Sequence, residues 1–258
     1  MMNTPPLARR DDIGRRLDEG HAVSAADLAI EFDVSEDAIR RDLRTLAAQG
    51  RCRRVYGGAL PLSPASTPIS TRMREGKDNK RNLAAAALPL IQPGELLFLD
   101  NGSTNLALAT MLPTDIGISV ATNAIAIAAA VLALGDIPVI MIGGPVDPDV
   151  GGCVGAAATL AVQQLNIDRT FLGTCALSID EGLGAFDSDD AIFKRALVDV
   201  SRQIVVMATT EKLETRARHR IAPLSRLSAL VVEQDAISAV PHLAAAAATQ
   251  LLIAPSNP

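Results

Sequence analysis

The stretch VSEDAIRRDLRTLAAQGRCRRVYGGA, residues Val34 to Ala59, decides how this chain is read. From Ala38 onward it carries six arginines and one acid, whereas residues 11–37 carry nine acids and two arginines. The 258-residue chain as a whole has a net charge of −5. Its positive charge is therefore a local surface feature rather than a general property, and a local cationic surface implies a local anionic partner.

Helical spacing sorts the residues of this stretch. Ser35 reads as a cap, and Ile39, Leu43, Leu46 and Ala47 recur on one face of the helix that follows. On a 100° wheel Asp37, Arg41 and Arg44 point the other way, with Arg40 flanking them. Upstream, Ser24 stands three before Asp27 as in a capping box, and a helix from Ala25 to Phe32 would bury Leu28, Ala29 and Phe32. A tight turn at Asp33-Val34 joins the two. An earlier helix, with Leu7, Ile13 and Leu17 apolar, stops at Gly20. An arginine-rich face alone is usually just solvated. Two short helices joined by a short turn, the second with a basic outer face, make a helix-turn-helix, placed at 23–42. After Gly50, RCRRVYGGA alternates like one arm of a wing. The expected double-stranded DNA contacts are Ser35, Asp37, Arg40, Arg41 and Arg44 from the helix. Arg53, Arg54, Tyr56, Gly57 and Gly58 are expected from the wing, where the glycines would let the backbone approach phosphates. The acidic first helix would face away from the DNA.

This segment resembles the amino-terminal domain of the DeoR family of bacterial transcriptional regulators, whose signature runs VS…TIRRDL…L…G…R.HGGA. Here Ala38 stands in place of the usual threonine and Tyr56 in place of the usual histidine.

Composition bounds the rest. Apolar residues are 48% of the chain, which supports a sizeable core. The three cysteines, Cys52, Cys153 and Cys175, have no paired or metal-ligand spacing, so no disulfide frame and no metal site is expected. The start has no apolar leader, and the longest apolar run, Ala124 to Leu134, is too short to span a bilayer. A cytoplasmic protein with no membrane partner is expected. Aromatics are 2% of residues, too few for a base-stacking platform.

Residues 60–71, LPLSPASTPIST, read as a proline-rich linker between a domain at 5–59 and one at 72–253. Beyond it, apolar strands at 95–100, 118–122, 137–144, 169–173, 203–209 and 228–233 alternate with helical segments. The fold class is α/β, a winged helix-turn-helix followed by an open, mostly parallel sheet covered on both faces. The final run, HLAAAAATQLLIA, reads as a closing helix. Four strand ends carry polar or glycine-rich corners: Asp100-Asn101-Gly102-Ser103-Thr104, Thr122-Asn123, Gly143-Gly144 and Gly173-Thr174. Ligands bind such sheets at the carboxyl ends of strands, and Lys194 and Lys212 could supply point charges. Together these residues are expected to hold a small anionic polyol.

The second half also resembles the DeoR family, in its effector domain, which is similar to ribose-5-phosphate isomerases. The family pattern LD.GTT…TN…GG…G…FLG…GL…K…K falls on Asp100–Thr104, Thr122-Asn123, Gly143-Gly144, Gly155, Phe171-Leu172-Gly173, Gly182-Leu183, Lys194 and Lys212. Thr209 stands where an aspartate is common. The resemblance implies a phosphorylated sugar as effector, no cofactor, and a homo-oligomer, dimer or tetramer, repressing carbohydrate catabolism genes from an operator. The alternative is a sugar-phosphate isomerase with an appended helix-turn-helix. That chemistry needs a carboxylate placed to move a proton, and after the strand RTFLG the chain has Thr174-Cys175-Ala176 instead. No catalytic residue is expected.

Overall fold

The structure, a computed structural model, describes residues 5–18, 23–49, 51–55, 57–61, 69–236 and 250–255. The chain divides into two compact units, with the division between residues 63 and 64.

The first unit contains helices α1 (Pro6–Asp18), α2 (Ala25–Glu31) and α3 (Glu36–Ala48), with a three-stranded antiparallel sheet. Its strands are β1 (Val23–Ser24), β2 (Cys52–Val55) and β3 (Gly58–Pro61), in the order β1-β3-β2. The capping serines behave as their sequence context predicts. Ser24 Oγ accepts from the Asp27 N–H and Ser35 Oγ from the Ala38 N–H, each at 3.3 Å. Ile13, Leu17, Leu28, Ile39, Leu43 and Leu46 form the core. Leu7, the first apolar residue of α1, is 70% exposed.

The second unit is built on a seven-stranded sheet. The strands are β4 (Leu96–Leu99), β5 (Ser119–Thr122), β6 (Val139–Met141), β9 (Ile167–Leu172), β12 (Ser201–Ala208), β14 (Ala229–Glu233) and β15 (Gln250–Ala254). Their order is β15-β14-β12-β9-β4-β5-β6, with every pair parallel. Helices α5 (Lys77–Ala87), α6 (Ser103–Ala109), α7 (Ile125–Leu132), α8 (Ala156–Val162) and α9 (Ser188–Asp199) follow strands or precede them. Two apolar clusters hold the layers together, one containing Phe98, Phe193 and Leu230, the other Leu97, Phe171 and Val231. Adjacent residues of one strand thus serve opposite clusters, as side-chain alternation requires. Two smaller sheets join them, a hairpin of β7 (Val146–Asp147) with β8 (Gly152–Cys153), and β10 (Ala176–Ser178), β11 (Gly182–Ala185) and β13 (His219–Ala222).

Three expectations change. The end of the supposed closing helix, Gln250–Ala254, is a strand paired in parallel with β14; residues 237–249 lie outside the described residues. Helix-favouring alanines suggested one continuous element, but the exposed edge of β14 takes up the apolar run Leu251–Ile253. The linker expected at 60–71 is shorter at both ends: Leu60 and Pro61 pair with Arg53 and Cys52, and α4 occupies Ile69–Arg72. Proline is tolerated at Pro61 because it ends its strand. Residues 62–68 lie outside the described residues. The β10-β11-β13 sheet has no counterpart in the alternation of strands and helices; its only trace in sequence is the turn before Gly182 (φ +73°).

Candidate DNA-binding face and effector cavity

On α3 the outward and inward charges separate cleanly. Arg40, Arg41 and Arg44 are exposed, as are Ser35 and Asp37. Arg40 is offset by Glu36 at 2.7 Å, and Arg41 Nε donates to the Asp37 carbonyl. Asp42, between them in sequence, is 2% exposed and points inward. It accepts from Arg9 Nε at 2.8 Å and Arg10 Nη2 at 3.0 Å. The acid of IRRDL therefore clamps α1 to α3, and Arg9 and Arg10, overlooked in sequence, are its partners.

In the wing, Arg54 is exposed and Arg53 lies in β2; Tyr56 lies outside the described residues. The two glycines do different work. Gly57 adopts φ +82°, and its carbonyl accepts from the Ala25 N–H at 2.7 Å. Gly58 is buried against β1: a Cβ there would fall 2.0 Å from the Val23 carbonyl oxygen. Gly58 was expected to let the backbone approach a phosphate, but the approach it permits is that of β1 to β3.

In the second unit the strand order decides where a cavity opens. From β4 the chain proceeds to β5 and β6 on one side, then returns to place β9 on the other. The carboxyl ends of β4 and β9 therefore flank the switch point, where such sheets leave a crevice. A small cavity of about 100 Å³, open toward solvent, lies there. Asn105 holds its floor, donating from Nδ2 to the carbonyls of Asp100 and Phe171, both at 2.8 Å, and so tying the ends of β4 and β9 together.

Of the residues expected to bind effector, Asn101, Gly102, Ser103, Thr104, Gly173, Thr174, Lys194 and Lys212 line this cavity. Asp100 lies just beneath, with no exposed surface; its carboxylate accepts from the N–H groups of Asn101 and Gly173, both at 2.9 Å, and stands 3.6 Å from Lys194 Nζ. Lys194, 2% exposed, also donates to Asp190 at 2.7 Å. Burial drives the Asp100 carboxyl above the usual carboxylate range, against the pull of Lys194. Burial acts on Lys194 in the opposite sense, but Asp100 and Asp190 outweigh it and hold the ammonium above its ordinary value. For the half-buried Lys212 burial prevails: it lowers the ammonium to about 8, Cys175 and Glu211 oppose it only in part, and the charge of Arg72 adds to it. Thr174 Oγ1 is engaged by the Ala176 carbonyl at 2.7 Å. Thr104 is 6% exposed, and its hydroxyl has no hydrogen-bond partner among the described residues.

Thr122, Asn123, Gly143 and Gly144 do not reach the cavity. They stand at the ends of β5 and β6, on the far side of β4 from the switch point. Thr122 Oγ1 donates to the Leu99 carbonyl at 2.6 Å, and Asn123 accepts from the Asn101 N–H at 3.1 Å, so both brace the corner that carries Asn101. Gly143 and Gly144 are exposed. In their place the cavity gains Arg72 from α4, Cys175, and Asp187 and Asp190 at the start of α9. Asp190, one turn before Lys194, was visible in sequence; Arg72 carried no signal. Among the described residues no cluster suited to a metal ion occurs, and no helix is long and apolar enough to cross a membrane.

Comparison with known proteins follows the same division. Residues 9–65 match the DeoR-like helix-turn-helix domain and residues 75–234 the DeoR C terminal sensor domain. The glycerol-3-phosphate regulon repressor of Escherichia coli (strain K12) is 30% identical over 82% of this chain and 84% of its own. A relative from Escherichia coli O157:H7, whose name assigns it provisionally to repression of the aga operon, is 30% identical over 88% of this chain and 86% of its own. Ribose 5-phosphate isomerase A from Neisseria gonorrhoeae has 15% identity over 54% of this chain and 55% of its own, with a TM-score of 0.39, too low to argue from. With both domain types matched in order and relatives aligned along most of their length, this chain belongs to the DeoR family of DNA-binding transcriptional regulators.

Proposed function

We propose that this regulator is a cytoplasmic repressor of carbohydrate catabolism genes whose hold on its operator is weakened by a phosphorylated sugar. The observation that carries the reading is the buried, unpartnered hydroxyl of Thr104 in a cavity that also presents Ser103, Arg72 and Lys212. A buried hydroxyl without a partner costs free energy that a ligand's phosphate oxygen would recover. Two cations beside it suit a dianion. The sugar hydroxyls would then meet Asp187, Asp190 and the Lys194 ammonium deeper in the cavity. The same geometry disfavours isomerase chemistry, since Asp100 has both carboxylate oxygens engaged and no exposed surface.

On DNA, Arg41 and Arg44 would enter the major groove, Arg40 its flank, and Arg53 and Arg54 the phosphate backbone. One such unit offers few contacts, and operators commonly repeat half-sites to match protein symmetry, so the acting species would be a dimer or tetramer. The test is a gel-shift titration on the promoter fragment the protein binds, with glycerol 3-phosphate, ribose 5-phosphate, glucose 6-phosphate and fructose 1-phosphate. At least one should lower operator affinity, and Ser103→Asp, which places a negative charge at the phosphate position, should abolish that response while DNA binding stays intact. Unchanged affinity with every compound, or loss of folding in Ser103→Asp, would count against the assignment.

A further inference from the structure

The outer strip of α3 carries an acid among its arginines. Asp37, Arg41 and Arg44 follow one another there at helical spacing, all exposed. The Asp37 side chain is 81% exposed, against 45% for Glu36 and 3% for Asp42. The amino end of α3 does not need it. Ser35 Oγ already accepts from the Ala38 N–H, and Glu36, in the same turn, supplies the negative charge that a helix amino terminus favours. Glu36 also holds Arg40 at 2.7 Å. Asp37 stands 3.6 Å from the same guanidinium on an exposed surface, where such a pair contributes little.

A carboxylate on a DNA-facing surface is repelled by every phosphate it approaches, so it lowers affinity unless it reaches a donor on a base edge. The major groove presents two such donors, the cytosine N4 and adenine N6 amino groups. The adenine amino group lies between two acceptors, its own N7 and thymine O4, and both repel a carboxylate. The cytosine amino group has an acceptor, guanine O6, on one side only, so cytosine is the favoured base. A recognition helix contacts base edges with its amino-terminal residues, and Asp37 is in the first turn of α3. The clamp of Asp42 on Arg9 and Arg10 fixes which face of α3 is outward, so Asp37 and the two arginines are presented together. Arg41 Nε donates to the Asp37 carbonyl at 3.2 Å, which ties that arginine to the same turn. From Asp37 to Arg44 the helix rises about 10 Å, the height of about three base-pair steps.

We infer that Asp37 is a specificity-determining residue, accepting from the amino group of one cytosine in each operator half-site beside the bases that Arg41 and Arg44 read. The inference rests on the placement of α3 in the major groove proposed above and adds the base that its acid selects. Arginines alone favour guanine edges and hold any phosphate backbone. The acid adds discrimination by penalising every duplex that lacks a cytosine at its position. Its removal should therefore raise affinity for non-operator DNA while erasing the preference at one position.

The experiment uses the full-length protein and duplexes that the wild type enriches from a randomised pool. Each position of the enriched half-site is changed to the other base pairs, and dissociation constants are measured for the wild type, Asp37→Asn and Asp37→Ala. For the wild type one position should prefer cytosine about tenfold over any other base. Asp37→Asn should move the preference there to adenine, whose N6 and N7 an asparagine engages together. Asp37→Ala should erase it and bind non-operator DNA severalfold more tightly. The remaining positions should keep their preferences in both variants. Variants that keep the wild-type preference at every position would show that Asp37 serves only the end of α3, and would overturn the inference. A second measurement does not depend on the variants. N4-methylcytosine keeps its pair with guanine but turns a methyl group into the groove where the N–H was. Placed singly at each cytosine of the half-site, it should weaken wild-type binding about tenfold at one of them. If no cytosine is sensitive, the inference is overturned even if both variants fail to fold. Failure of the wild type to enrich any sequence would instead remove the groove placement beneath it.

Discussion

Each unit of this protein encloses an ionised cluster, and the two clusters have opposite balance. In the DNA-binding unit the buried group is an acid, Asp42, held by two arginines. In the sensor it is a base, Lys194, held by two aspartates. The first joins α1 to α3 and fixes the helix that displays Arg41 and Arg44. The second joins the start of α9 to the end of β4 and fixes the wall of the cavity. The partners left behind differ in kind: arginine cannot shed its proton, whereas a carboxylate can take one up.

That difference gives the largest predicted effects and a way to separate them. Asp42→Ala should destabilise the DNA-binding unit by about 3–5 kcal/mol, because it strands the buried Arg9 charge. The cost should hold steady between about pH 5 and pH 8, since arginine stays charged throughout. Lys194→Met should cost the sensor a similar amount near pH 8, by stranding Asp100 and Asp190. Asp100, however, is already raised by burial. A carboxyl whose folded pKa lies above its unfolded value contributes stability as pH falls through the folded value, so the Lys194→Met penalty should shrink on acidification. Urea denaturation of both variants across that range measures the contrast. Equal pH dependence of the two penalties would break it.

Gly58→Ala should come next, at about 1–3 kcal/mol, because its Cβ would collide with the Val23 carbonyl and push β1 from β3. It should lower the melting temperature of the DNA-binding unit. A variant that melts normally and loses only operator affinity would return Gly58 to the DNA interface. Arg41→Ala should do the reverse, leaving stability within about 0.5 kcal/mol. It should weaken operator binding by about 1–3 kcal/mol, and in a sequence-dependent way, if the contact is to a base edge.

The contrast between Gly58 and Arg41 also marks what sequence could convey. A helix of period 3.6 sorts its own residues, so Ile39, Leu43 and Leu46 located the core and left Arg41 and Arg44 outside without knowledge of any other element. Six of the seven strands of the large sheet were legible for the same local reason, as short apolar runs between helical ones. Gly58 was not, because its constraint comes from Val23, thirty-five residues away in a strand of two residues. Thr122-Asn123 and Gly143-Gly144 looked equivalent to Asp100–Thr104, and as strand ends they are. Only the order β9-β4-β5-β6 separates the corners that face the crevice from those that do not. Arg72 entered the cavity by a tertiary contact between α4 and the 147–151 turn, which no local pattern encodes.

The smallest effect predicted is a pH dependence of ligand affinity, and its sign follows from Lys212. Burial lowers this ammonium to about 8, with Arg72 and Lys80 adding repulsion and Cys175 and Glu211 opposing it. A bound phosphate dianion would favour the charged form and raise the value. Below pH 8 the lysine is charged with or without ligand, so it adds no pH dependence. Above pH 8 the free protein holds it neutral, and binding must take up a proton. Affinity should then fall by up to about tenfold per pH unit, which is about 1.4 kcal/mol. The ligand's own second ionisation, near pH 6, is complete by then and cannot cause the fall. The same group affects folding in the opposite sense. A lysine whose folded pKa is depressed opposes folding while charged, so its contribution improves as pH rises from about 8 toward the unfolded value. Affinity and this part of stability should therefore move apart above pH 8. Cys175→Ser should preserve the fall in affinity, since it removes only the thiol facing the ammonium. Lys212→Met should abolish it, leaving a weaker affinity that is flat between about pH 7 and pH 9. A fall that survives Lys212→Met would place the titrating group elsewhere in the cavity.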